Sequence, residues 1–144
     1  MRIADILGIK GREVIKTSPT ADVVTAAEVL SHHRIGALLV EDQWMKLIGV
    51  FTERNLVNAI ARYGSDALGF KVQQVMSMPV ISCAPTDRID AVMATMTLKR
   101  VRHLPVIDAG KLVGIVSMGD LVKHRLDEKE LEANVLLEIS RMRA

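Results

Sequence analysis

Ser117 and Asp120 stand three residues apart at the end of an apolar run, and a hydroxyl and a carboxylate at that spacing have two uses. They can close a capping box around the first turn of a helix, each side chain accepting from a free backbone amide. The ionised carboxylate can also act as a double acceptor for groups on a bound molecule. Arg102 and His103 are the next polar residues of interest. An arginine presents a planar fork that matches two phosphate oxygens, whereas a histidine adds charge only when protonated. A solvated arginine beside an ordinary surface histidine is the other reading of the pair. Arg54 falls at the start of a predicted helix, where a positive charge opposes the helix dipole. That misplacement points to a task other than stabilising the helix.

Other chemistries lack their parts. His32, His33, His103 and His124 have no metal-ligand spacing apart from the adjacent His32-His33 pair, which reads as a helix surface. A single cysteine, Cys83, excludes an intrachain disulfide and a CxxC site and fits a reducing compartment. Neither Cys83 nor Ser117 has an evident triad partner, and no phosphate-binding glycine loop follows a strand, so the chain is not expected to be an enzyme. Formal net charge is +2 and the charged residues alternate in sign, a solvated surface rather than a platform for nucleic acid. No apolar run is long enough for a signal peptide or a membrane span, so a soluble, cytoplasmic protein is expected.

The elements that must position these residues come in two copies. Of the 144 residues, 49% are hydrophobic but only 3% aromatic, so the core must be aliphatic. Pro19-Thr20, Arg34, Leu38, Val40 and Asp42 recur at one constant offset as Pro85-Thr86, Arg100, Leu104, Val106 and Asp108. After one deletion, Lys46-Leu47, Gly49 and Leu56-Val57 recur as Lys111-Leu112, Gly114 and Leu121-Val122. Val23, Ala26, Ala27 and Leu30, and then Ile89, Val92, Met93 and Met96, have the spacing of a helix with one buried face. Thr20 and Thr86 are the expected N-caps. Each copy thus reads strand, helix, strand, turn, strand, helix, with the first two strands parallel and the last two a hairpin. Pro105 confines its strand to an edge or a short ladder.

Short helices lead into both copies, around Ile3, Ile6 and Leu7 and around Val72, Val75 and Met76. The expected organisation is a lead helix and first repeat over 1–62, a linker over 63–69, a second repeat over 70–126 and a C-terminal helix over 127–144. Along that last segment Leu131, Val135, Ile139 and Met142 form an apolar stripe, read as a docking or dimer face.

The string Arg102-His103-Leu104-Pro105-Val106-Ile107-Asp108, continued by Gly110-Lys111-Leu112-Val113-Gly114-Ile115-Val116-Ser117-Met118-Gly119-Asp120-Leu121, resembles a cystathionine-β-synthase (CBS) domain. So does the first copy, closing on Gly49-Val50-Phe51-Thr52-Glu53-Arg54-Asn55-Leu56, and two in tandem resemble a Bateman module. The resemblance implies an α/β (α+β) fold of two three-stranded sheets flanked by helices about a pseudo-twofold axis. It also implies a regulatory module binding an adenosine-containing nucleotide such as AMP, ATP, NAD or NADH between the repeats. On that reading Asp120 holds the ribose, with Ser117 beside it, and Arg102 and His103 meet the phosphate. Arg54 reaches that phosphate from the other repeat, and a strand of Val80, Ile81 and Ser82 lines the adenine pocket. Exchanging the repeats turns Asp120 into Asn55, Arg102 and His103 into Gly36 and Ala37, and Arg54 into Gly119, so one competent site per chain is expected. A homodimer, no resident metal and an unidentified regulated protein complete the reading; a ligand-independent dimerisation module is the alternative.

Overall fold

The computed structural model describes residues 1–143. Its elements run α1 (Ile3–Lys10), β1 (Lys16–Thr17), α2 (Val23–His33), β2 (Ala37–Glu41), β3 (Leu47–Thr52), α3 (Glu53–Tyr63), a 3-10 helix (Gly64–Gly69), α4 (Val72–Val75), α5 (Ile89–Lys99), β4 (His103–Asp108), β5 (Lys111–Ser117) and α6 (Met118–Met142). They gather into two units, an α+β arrangement in each. The first is Glu13–Ile81; the second joins Met1–Arg12 to the chain from Ser82 onward.

In the first unit the strand order is β1-β2-β3, with β1 parallel to β2 and β2 antiparallel to β3. Helix α2 makes the parallel crossover and lays Val23, Ala26 and Leu30 on Leu38, Val40 and Phe51, with Val72 of α4 closing the same core. Burial of such aliphatic side chains, roughly 1.5–3 kcal/mol each, is what holds so small a unit together. Arg34 ends α2 in the left-handed conformation (φ 54°), its amide returning to Leu30 and Ser31. Arg100 does the same for α5 (φ 56°), so the repeat extends to the way each helix stops.

The second unit repeats the plan with one strand fewer. β4 and β5 form a hairpin paired from His103↔Ser117 to Asp108↔Lys111, with a register shift between Val106 and Ile107. The third strand shrinks to a single parallel bridge, Cys83↔Val106, and residues 80–82 lie in no strand, against expectation. Pro105 supplies the reason. Its counterpart Leu39 donates its amide to the Ile15 carbonyl and so anchors β1. A proline has no amide to give, so the ladder on that side of β4 cannot extend. The Pro105 carbonyl still accepts from Cys83 and Ile107 donates to Cys83, at 3.0 and 2.8 Å, and pairing stops there.

Two further expectations are corrected. Thr20 and Thr86 cap nothing: α2 and α5 begin later, after Asp22 and Arg88, and neither of these supplies a side-chain cap. Thr20 instead bonds Ser18, while the Asp22 carboxylate is drawn to Lys71 Nζ at 2.6 Å. Within the expected linker, Gly64–Gly69 form a 3-10 helix that buries Ala67 completely. The second helix of the second repeat and the C-terminal segment are one continuous 25-residue helix, α6.

The lead helices settle onto the hairpins rather than onto whatever follows them in sequence. α1 packs in the second unit, where its first two amides donate to Asp87 and Pro85 carbonyls. Leu7 of α1 lies against Gly114, where a Cβ would come within 2.8 Å of it. In the first unit Met76, just past α4, meets Gly49 in the same way, at 2.6 Å. Each hairpin's central glycine is thus the seat of a lead helix.

Candidate functional site

Strand β5 ends at Ser117 and α6 begins at Met118, so the polar pair of the second unit sits on a strand-to-helix turn. Ser117 Oγ accepts from the Asp120 amide at 3.1 Å, and Asp120 Oδ2 accepts from the Ser117 amide at 2.9 Å. The capping box read from the sequence therefore exists. It orients the carboxylate, and it occupies only one of its two oxygens.

A third residue joins the pair. Lys10, at the end of α1, places Nζ 2.6 Å from Asp120 Oδ2 and donates also to the Ile115 carbonyl at 3.0 Å. The contact follows from packing: with no side chain at Gly114, α1 lies close on β5, and its last residue reaches the strand's end. Partial burial pushes the Asp120 carboxyl up, but the Lys10 hydrogen bond, the Ser117 amide and the Lys10 charge outweigh it. The net result is a group held below the ordinary carboxylate value. Asp120 is an anion at neutral pH.

Arg102 and His103 flank this turn. His103 pairs in register with Ser117, and the Arg102 carbonyl accepts from the Met118 amide at 2.8 Å. Arg102 is exposed and His103 half-buried. Ser117, Asp120, Arg102 and His103 are thus brought to one end of the second unit's hairpin. Ser82 is exposed in the same unit, next to the Cys83 bridge; Val80 and Ile81 are half-buried at the end of the first unit. Arg54 is exposed in the first turn of α3, also in the first unit.

The matched turn of the first unit has the same geometry without the charge. Thr52 Oγ1 accepts from the Asn55 amide at 3.2 Å, and Asn55 Oδ1 accepts from the Thr52 amide at 2.8 Å. The Asn55 Nδ2 group donates to Ser77 Oγ at 3.0 Å. Where Asp120 meets a lysine, Asn55 meets a serine. Sequence reasoning missed Lys10 because its partner lies 110 positions away and no local pattern marks it.

Among the described residues no three His, Cys, Asp or Glu side chains gather as metal ligands, and no helix is long and apolar enough to cross a membrane. Cys83 is buried, and that burial, with a smaller push from the Asp87 charge, raises its thiol to about 12.

Comparison with known proteins agrees with the repeat. The family described as CBS domain matches residues 4–62 and 72–127. A protein of Methanopyrus kandleri is 32% identical over 124 residues, 85% of this chain, which spans 63% of that protein's length. The crystal structure of a CBS-domain containing protein from Agrobacterium tumefaciens superposes with a TM-score of 0.84 at 40% identity, covering 86% of this chain and 92% of that one. The CBS domain pair of protein MJ0100, solved in complex with 5′-methylthioadenosine and S-adenosyl-L-methionine, gives a TM-score of 0.75 at 25% identity, over 85% of this chain and 98% of that one.

Proposed function

This chain belongs to the CBS domain family, and from that premise we propose that it is a non-catalytic, cytoplasmic sensor of an adenosine-containing nucleotide of the AMP, ATP or NAD type. The observation that carries the proposal is the Asp120 carboxylate. It is anionic, held by the capping box and Lys10 on one oxygen, and set at the end of a hairpin beside Arg102 and His103. An anionic carboxylate accepts hydroxyl hydrogen bonds strongly, which suits a ribose. The arginine and histidine supply the donors a phosphate would need. The adenosine-based molecules bound by protein MJ0100 support the choice of ligand class.

A ligand bound only by the native state adds about 2.7 kcal/mol of stability at a hundredfold excess over its dissociation constant. A thermal-shift panel of AMP, ADP, ATP, NAD, NADH and S-adenosylmethionine is therefore expected to raise the midpoint selectively. A midpoint unmoved by every member at millimolar concentration would favour the second reading, a ligand-independent dimerisation module. One observation speaks for that reading as well: Leu131, Val135, Ile139 and Met142 are all exposed along α6. Turnover of any panel member would overturn the non-catalytic assignment.

A further inference from the structure

A capping box is complete with Ser117 and Asp120 alone, and the ion pair from α1 adds a third polar group to it. An ammonium group carries three N–H donors and no acceptor. Lys10 directs one at Asp120 Oδ2 and one at the Ile115 carbonyl. No described residue takes the third, and the side chain is 31% exposed. On the carboxylate, the Ser117 amide and Lys10 both fall on Oδ2, which uses its two lone pairs, while Oδ1 meets no donor among the described residues. The joined pair thus presents one free acceptor beside one free donor. A vicinal diol needs that combination, because one of its hydroxyls can donate while its neighbour accepts.

We propose that Lys10 is a specificity-determining residue of the ligand site: Asp120 Oδ1 accepts from one ribose hydroxyl while the third Lys10 N–H donates to the other. The inference rests on the reading of Asp120 as the ribose acceptor, and it adds a residue that the lead helix delivers from the far end of the chain. A carboxylate that chelated both hydroxyls by itself would need both of its oxygens, and Oδ2 is already taken. The first unit has no such pair, since Asn55 is bonded to Ser77 instead.

Titration calorimetry of the full chain with AMP, 2′-deoxy-AMP and 3′-deoxy-AMP, on the wild type, Lys10→Met and Asp120→Asn, tests this. The wild type is expected to prefer AMP over each deoxy analogue by roughly tenfold or more, the value of a charge-assisted hydrogen bond. Lys10→Met should weaken AMP about tenfold and erase the preference for one hydroxyl while keeping that for the other. A general loosening of α1 would lower all three affinities alike and leave both preferences intact, and that result overturns the proposal. So does tighter AMP binding by Lys10→Met, which would make Lys10 a competitor for the carboxylate. If both preferences persist in Lys10→Met but Asp120→Asn abolishes binding, Lys10 alone is refuted and Asp120 stands. If Asp120→Asn also changes nothing, or the wild type does not bind AMP, the reading of Asp120 falls and takes this one with it. The ligand-free melting midpoint of each variant confirms that it is folded.

Discussion

Asp120 and Asn55 occupy matched positions in equivalent capping boxes, one as a carboxylate and the other as an amide. If the carboxylate holds the ligand, Asp120→Ala should abolish the AMP-type midpoint rise in the thermal-shift panel. Asn55→Ala should leave that rise in place and lower only the ligand-free stability, by the roughly 0.5–1.5 kcal/mol of the hydrogen bond its side chain accepts from the Thr52 amide. An equal loss from both variants would count against the assignment. The lowered Asp120 value also has a pH signature. A carboxyl held below its unfolded value of 3.8 contributes stability that is present above that pH and disappears as pH falls through the folded value. The midpoint difference between the wild type and Asp120→Asn should therefore be full near neutrality and shrink below about pH 4; a constant difference would show that Lys10 does not hold the anion. The cap was legible in Ser-x-x-Asp because capping is a contact between near neighbours in sequence. Lys10 was not, because a lysine carries no local signature and its partner is brought to it by packing alone.

At the scale of elements, two residues decide what the repeats share and where they part. Gly49 and Gly114 each make room for a lead helix, against Met76 and Leu7 respectively. Leu7 is 2% exposed and cannot swing aside, so Gly114→Ala should cost about 1–3 kcal/mol through overpacking. Truncating the partner should relieve it. Leu7→Ala alone opens a cavity at a cost of about 2–5 kcal/mol, but the double variant should be less destabilised than the two single costs together. Strict additivity in urea denaturation would mean that the two residues do not press on each other. The helix-strand alternation and the hairpins were readable from apolar spacing, since one buried face per element imposes that spacing. The missing strand was only half readable. Pro105 announced a short ladder, yet the loss of pairing over 80–82 depends on which side of β4 its absent amide faces. That is a property of register, not of composition. The Thr20 and Thr86 caps failed for a similar reason: the turns take those residues, and the helices start after them.

For the whole molecule, α6 poses the question of partners. Its first turns bury Leu121 and His124 in the second unit, and their row along the helix continues through Leu131, Val135, Ile139 and Met142. Those four are 42–84% exposed. The stretch from Asp127 onward is about four turns long, and a helix of that length is marginal in water without tertiary contacts. Two internal ion pairs, Lys129–Glu132 and Arg141–Glu138, lie exposed on it and add only tenths of a kcal/mol each. What would stabilise the helix is cover for the apolar row, and a second copy offers the same row to cover it, as a twofold interface requires. A homodimer is therefore expected, with α6 against α6. Size exclusion with light scattering should give twice the chain mass at micromolar concentration, and Leu131→Glu combined with Ile139→Glu should give a single chain. Both substitutions lie beyond the buried turns of α6, so the thermal response to AMP should survive them if the ligand site is confined to the hairpin end of the unit. A wild-type monomer would refute the dimer. A double variant that becomes monomeric and also loses the AMP response would tie ligand binding to assembly.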